Sequence, residues 1–277
     1  MGKSTGVVLF LRTMYARAYP RVLGMNREPS WVFFEVVVPL INTSAFVFLY
    51  KALNAPPAFV GFVVLGGAMA AYWLNVLWMM ATQLYWDKQE GNLELYVLSP
   101  TSLMAILLGM AVGGLYATTL RAATIAIVGT LIFGVTFNGS QWGFALLVFL
   151  VTMVALYGLG MILSSLFLMW GREGWQIALS LTEPVQFLSG MNFPLSGLFN
   201  SIPGVLTIFS AVIPVSFGLD ALRQLLFPGQ IIGVLPPGVE LAILGGMGAV
   251  FLVAAYVMLR HMERLAKVEA RLSLRWQ

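Results

Sequence analysis

The chain has 277 residues, of which 60% are apolar and only 9% charged, with a formal net charge of +4. A soluble domain carries about 25% charged residues, so this sequence cannot cover a water-facing surface, and its solvent is the hydrocarbon core of a membrane. That excludes a cytosolic enzyme, a nucleic-acid-binding protein and a secreted disulfide scaffold. The absence of cysteine removes thiol nucleophiles, iron–sulfur clusters and cysteine zinc sites, and the single histidine, His261, leaves little for metal or proton-relay chemistry.

In chain order, residues 5–24 read as a basic, apolar-rich helix ending near Pro20 and Gly24, held at the lipid interface by snorkelling arginines. Six apolar segments then have spanning length, roughly 20 residues or more each: 31–50, 58–81, 103–135, 142–170, 175–199 and 238–259. The third and fourth exceed one bilayer thickness and must tilt, kink or begin in the interface. The fifth should break near Ser189-Gly190 and Pro194, because glycine and proline interrupt helical continuity. After it, 202–217 is too short to cross and carries Pro203 and Pro214, which reads as a re-entrant pair of short helices.

Between spans two and three, residues 87–100 look like a short helix. Asp87 suits an N-cap, acidic residues complement the first turn, and Ser99-Pro100 stops the helix. Leu93, Tyr96, Val97 and Pro100 would face lipid or protein while Glu90 and Glu94 face the cytosol. Like charges four residues apart destabilise an isolated helix slightly, and a basic partner surface would relieve them. From the residues alone, an ordinary polar connector fits as well. After the last span, 260–277 is amphipathic: Arg260, Glu263, Arg264, Lys267, Arg271 and Arg275 share one arc, and Met262, Leu265, Val268, Leu272 and Trp276 the other. Its basic arc suits anionic lipid.

Lys and Arg set the orientation. Twelve lie before the first span, after the sixth, or at positions 88 and 172, against Lys51 and Arg223 on the other side. Both termini are therefore expected in the cytoplasm of a multi-pass cell-membrane protein, with no cleavable signal peptide. Gly2-Lys3-Ser4 lacks the upstream glycine and strand of a phosphate loop, so this chain is not expected to bind ATP through one. Within the spans, Arg121 and Glu183 each cost about 2.5–3.5 kcal/mol if left unpaired, so they are expected to pair, with Glu35 as the competing partner. Gly109 and Gly113, with Gly66, Gly67, Gly245, Gly246 and Gly248, permit close helix packing.

The 87–100 segment resembles the coupling segment of the ABC type-2 permease family, the membrane subunits of ATP-driven exporters. Glu90, Gly91, Leu93, Glu94 and Pro100 match the family pattern, and Asn92 stands where threonine is usual. The run from Pro184 through Ser189, Gly190 and Pro194, followed by Pro203, Pro214, Asp220 and Arg223, is similar to the family's fifth span and outer hairpin. The resemblance implies an all-α polytopic membrane protein with the type V exporter permease fold: six transmembrane helices, an N-terminal interfacial helix, a cytoplasmic coupling helix at 87–100 and an outer re-entrant hairpin at 195–217, all in one transmembrane domain, 1–277. It implies a second permease copy or homologue, surrounding lipid, and a separate ATPase subunit that carries the ATP and magnesium and moves Asp87, Glu90, Gly91, Leu93, Glu94 and Pro100. Ser189, Gly190, Pro194, Pro203 and Pro214 would form the outer gate, with Asp220 and Arg223 as a local helical ion pair. The path would lie between the copies, lined by spans one, two and five. No catalytic residue or metal site is implied, and the cargo would be a hydrophobic or amphipathic drug, lipid or peptide.

Two rival readings fit less well. An ion-coupled secondary transporter would use intramembrane carboxylates and internal repeats; Glu35 and Glu183 are candidates, but 1–135 and 142–277 show no repeat. A membrane-embedded lipid-modifying enzyme would need clustered acids, and the only dense group, Asp87, Glu90 and Glu94, is spread along a helix.

Overall fold

The computed structural model describes residues 6–25, 27, 29–170, 172–201, 204–230 and 233–269. Among these the architecture is all-helical, and no strand occurs. Helix α1 (Gly6–Met25) precedes α2 (Pro29–Ala52) and α3 (Ala58–Val76). A π-helical turn (Leu77–Ala81) joins α3 to α4 (Gln83–Gln89), and α5 (Asn92–Leu98) follows. Two long helices come next, α6 (Leu103–Phe133) and α7 (Trp142–Trp170). The remainder is α8 (Arg172–Leu188), α9 (Leu195–Ser201), α10 (Gly204–Val212), α11 (Pro214–Leu226) and α12 (Pro237–Glu269).

Five helical runs are long and apolar enough to cross a membrane: those within α2, α3 through α4, α6, α7 and α12. They cover five of the six segments expected from hydropathy. The segment 175–199 is the exception, because it is not one helix. Its helix, α8, has 17 residues, about 25 Å at 1.5 Å per residue, against a hydrocarbon core of about 30 Å. The chain then turns through 189–194 before α9. Hydropathy joined apolar residues across that turn into one span. Helices α10 and α11 meet at 84° and together have the length and apolarity of a broken span, giving up to six membrane-length units among the described residues. Pro203 and residues 270–277, which hold the end of the amphipathic tail, lie outside the described residues.

The α3–α4 run is the innermost element, and α2, α6, α7 and α11 pack around it. Small residues allow this. A Cβ on Gly66 would stand 1.7 Å from the Met191 carbonyl oxygen, so only glycine lets α3 approach the 189–194 turn this closely. Trp73, Phe62, Met69, Leu77 and Met80 fill the space around the run and are almost fully buried. The π turn adds a residue to the helical register and changes the direction in which Trp78 and Met79 project.

Helix α1 is held by protein and not by lipid alone. It lies along α6, whose Gly109 and Gly113 face the backbone of Met14 and Ala18; a Cβ on Gly109 would come within 2.5 Å of the Met14 carbonyl oxygen. At the start of α6, Ser102 is the N-cap and accepts from the Ala105 N–H at 3.2 Å. The Glu263 carboxylate of α12 accepts from Leu103 N–H, placing an acid at the positive end of the same helix.

Replacing an open helical glycine with alanine usually gains up to about 1 kcal/mol. Gly246→Ala, where nothing lies within 4 Å of the added carbon, should keep or raise the thermal midpoint of the detergent-purified protein. Gly66→Ala should lower it. Equal effects at both positions would refute the close approach of α3 to the turn.

Candidate functional site

The first candidate site is the elbow between α4 and α5. The expectation that Asp87 opens a helix as its N-cap is corrected: Asp87 lies inside α4, two residues before its end, and is buried. The break comes at Glu90-Gly91. Gly91 has φ +78°, the left-handed conformation that ends a helix at low cost in glycine. Glu90 and Glu94 therefore sit on opposite sides of a turn and not four apart on one helix. The Asn92 amide donates to the Glu90 carboxylate at 2.9 Å, while Glu94 falls in the first turn of α5, where its charge suits the helix dipole.

Two arginines of α1 clamp this elbow. Arg17 lies 3.2 Å from the Asp87 carboxylate, and the Gln83 amide donates to the same carboxylate at 3.1 Å. Arg21 donates to the Gln83 side-chain oxygen at 3.3 Å and to the Met79 carbonyl. The Arg17 guanidinium also stands 5.4 Å from the centre of the Tyr96 ring. Burial, together with the Asp87 charge, pushes the Tyr96 phenol up to about 12, so it stays a proton donor at neutral pH and bonds Asp87. The signal for this clamp was present in the sequence: Arg17 and Arg21 are four apart, as are Gln83 and Asp87, the spacing of two antiparallel helices meeting face to face. Beyond it, Leu93 is buried, whereas Glu90, Glu94 and Pro100 are exposed. Leu95 and Leu98 are 65% and 83% exposed.

The second candidate site is the turn after α8. Helix α8 ends at Leu188, and Ser189, Gly190 and the residues up to Pro194 leave helical geometry. Each carbonyl freed there needs a donor. Arg223, fully buried in α11, supplies most of them. Its Nη1 donates to Gly190 O at 2.7 Å and Phe193 O at 2.9 Å, and its Nη2 to Met191 O at 2.8 Å and to Phe62 O of α3 at 2.9 Å. The Tyr50 hydroxyl donates to Asn192 O at 2.9 Å, and Ser210 of α10 to Leu188 O. The expected ion pair between Asp220 and Arg223 is corrected accordingly. Asp220 instead accepts from Val234 N–H at 2.8 Å and from Gln224 at 3.2 Å. Pro214 opens α11 at its first position, where its missing N–H costs nothing.

The third expectation was a pair between Arg121 and Glu183. Arg121 is buried in α6 and pairs with Glu35 of α2, whereas Glu183 is exposed on α8. Depth in each segment pointed to Glu183. It left unsaid which face of α6 Arg121 occupies, and that face meets α2. Among the described residues no group of three or more His, Asp or Glu is placed to hold a metal ion.

Arg223→Met should keep the volume but leave Met191 O and Phe193 O without a donor and remove the shorter bonds to Gly190 O and Phe62 O. A hydrogen bond to a charged group contributes about 1.5–3 kcal/mol, and each kcal/mol shifts a midpoint by about 2–4 °C at this size. The variant should therefore lose roughly 10 °C or more, with Arg223→Lys, which keeps charge and three donors, falling between. A Met variant as stable as the parent would show that the turn does not depend on Arg223.

A search of curated proteins finds no match to the chain. The profile of the family described as ABC-2 type transporter matches residues 14–227, a stretch that runs from α1 to the end of α11 and contains the elbow, the turn and the Glu35–Arg121 pair. Members of this family are non-catalytic membrane components. The chain belongs to the ABC-2 type transporter family, as a membrane permease subunit of an ABC transporter.

Proposed function

We propose that this permease, paired with a second copy or a homologue, forms the path for ATP-driven export of a hydrophobic or amphipathic substrate such as a drug, a lipid or a peptide, with α5 docking on the ATPase subunit. The observation that carries the docking assignment is the elbow. The turn and the short helix beyond it present Glu90, and then Glu94, Leu95 and Leu98, to the outside, next to the α4 end clamped to α1. Exposed Leu98 beside exposed Glu94 is poor in energy for a solvated connector and well suited to a partner surface with basic and apolar contacts. A push on α5 reaches α4 through a two-residue turn, and α4 continues through the π turn into α3, the most buried helix.

The basic end of the bundle is taken as cytoplasmic from the distribution of Lys and Arg, which puts α5 on the side where ATP and magnesium are held by the partner. At the opposite end, the segment 195–217, reached through Ser189, Gly190 and Pro194 and bent at Pro214, is assigned as the re-entrant cover of the exit. The apolar character of the helices supports an apolar cargo.

Glu90→Lys combined with Glu94→Lys alters only exposed side chains, so folding and insertion should be retained. In proteoliposomes containing the assembled transporter, the double variant should lose ATPase co-purification, or keep ATP hydrolysis while transport falls by roughly tenfold or more, a loss of about 1.4 kcal/mol. Full transport with normal ATPase binding would make α5 a connector and overturn the docking assignment.

A further inference from the structure

At the end of the bundle opposite the elbow, Asp220 of α11 and Glu240 in the first turn of α12 are both 0% exposed. Their carboxyl groups lie within hydrogen-bond reach of each other. The Gln224 amide stands over both, its Nε2 3.2 Å from Asp220 Oδ2, 3.4 Å from Glu240 Oε2 and 2.8 Å from Leu235 O. Val234 N–H donates to the same Asp220 oxygen at 2.8 Å, and Leu235 N–H faces Glu240. The chain before α12 closes over the pair. A Cβ on Gly233 would stand 1.9 Å from Gln224 Nε2, so only glycine lets it lie this close.

Donors run short in this cluster. An amide nitrogen has two N–H groups, and here it faces three acceptors, while Asp220 Oδ1 and Glu240 Oε1 are left with no donor from the protein. A buried carboxylate is costly without a counter-charge, and two side by side cannot both stay ionised. Arg223, three residues along α11, is the cation beside Asp220, with the Tyr50 hydroxyl of α2 next to it. The other helices packed against α11, namely α3, α7 and α10, contain no Asp, Glu, Lys, Arg or His. Their tyrosines, Tyr72 and Tyr157, bond Thr119 and Asn75 instead. On α6, which touches α12, Arg121 is paired with Glu35. On α12 itself the next charged residue is Arg260, about 30 Å along the helix at 1.5 Å per residue. One cation therefore faces two carboxyls, and the sum is zero when one of them holds a proton. A calcium ion takes about 6–8 oxygen ligands, and among the described residues no third acid joins the pair.

We propose that Asp220 and Glu240 hold one proton between them, and that this proton latches the start of α12 and the segment at Val234 and Leu235 onto α11. With the proton in place, one carboxyl donates to the other, and the remaining negative charge offsets Arg223. When the proton leaves, two negative charges stand side by side without water, and the helices relieve them by parting at this end. With the basic end cytoplasmic, this end faces outward, so external acidity sets the latch. The latch depends on the fold alone and stands whether or not the chain exports.

Glu240→Gln and Asp220→Asn keep the side-chain size and replace one acid by an amide that donates as the protonated acid does. In the purified full-length permease, the infrared C=O stretch of one neutral carboxylic acid should be present in the parent at neutral pH and lost in each variant alone. An unfolded glutamate releases its proton above about pH 4.3, whereas the folded pair keeps it. The folded state then binds the extra proton, and stability falls as pH rises. Between about pH 6 and 9 the thermal midpoint of the parent should therefore fall relative to Glu240→Gln by roughly 3 °C per pH unit, until the pair itself ionises. Amide exchange at Val234, corrected for the chemical rate, should rise over the same range in the parent and stay low in Glu240→Gln. This arm needs only the parent if a variant does not fold. An acid band that survives in both variants, or parallel midpoint curves, overturns the shared proton. Exchange at Val234 that ignores pH overturns the latch. Calcium chloride that raises the midpoint of the parent but of neither variant, with no acid band in the parent, makes the occupant a cation and overturns the proposal.

Discussion

Backbone carbonyls that leave helical geometry among apolar helices have no water to donate to them, and the turn after α8 has five that take side-chain donors, Leu188 and Gly190 to Phe193. Their donors come from three other helices: Tyr50 of α2, Ser210 of α10 and, above all, Arg223 of α11. A single guanidinium also reaches Phe62 O, tying α3 into the same cluster. A planar group with five N–H donors is the side chain able to serve four carbonyls at once. The packing follows from this. Helix α3 must be small at Gly66 to come near Met191, α11 must begin close enough to present Arg223, and α10 must fold back sharply for Ser210 to reach Leu188. Two packed arrangements of such a cluster are easier to reach as a unit than by loosening one bond at a time.

The same constraint organises the other end. Arg121 enters α6 with Glu35 as its counter-charge, and Arg17 meets the α4 region with Asp87 as its own, while Arg21 donates to the neutral Gln83 side chain and the Met79 carbonyl. Helix α3 and its continuation touch every one of these groups or lie beside them, from Phe62 at one end to Asp87 at the other. The permease thus has one buried shaft with a polar cluster near each end. A short outward-facing helix is joined to the shaft by a glycine turn. In the proposed docking, a push on α5 passes to α4 across a turn of only two residues, with α1 packed as a brace beside α4.

Much of this was legible in the sequence. Apolar runs long enough to cross a bilayer located α2, α3, α6, α7 and α12, because continuous hydrophobicity over that length has few other uses. In the fifth segment the break near Ser189-Gly190 and Pro194 was readable from glycine and proline, but hydropathy still counted the apolar residues beyond it into one span, 175–199. The stop at Ser99-Pro100 was readable from proline sterics, whereas Gly91 in its left-handed turn displaced Asp87 from the start of a helix to a buried clamp. Partners were the least legible. Arg121 was matched by depth to Glu183, and Arg223 by spacing to Asp220, but which face of a helix meets which neighbour is set by tertiary packing, and a carbonyl cluster leaves no mark in a list of charged residues.

The central claim is that α5 and the outer turn move together because α1 braces the shaft between them. Spin labels at position 98 and, separately, at position 201, in the otherwise cysteine-free chain, would report distances between the two copies of an assembled transporter. Addition of a non-hydrolysable ATP analogue should change both distances in the parent. With Arg17→Ala and Arg21→Ala together, the change at 98 should persist and the change at 201 should be lost. An outer distance that responds to nucleotide equally in parent and variant, or in neither, would contradict the account.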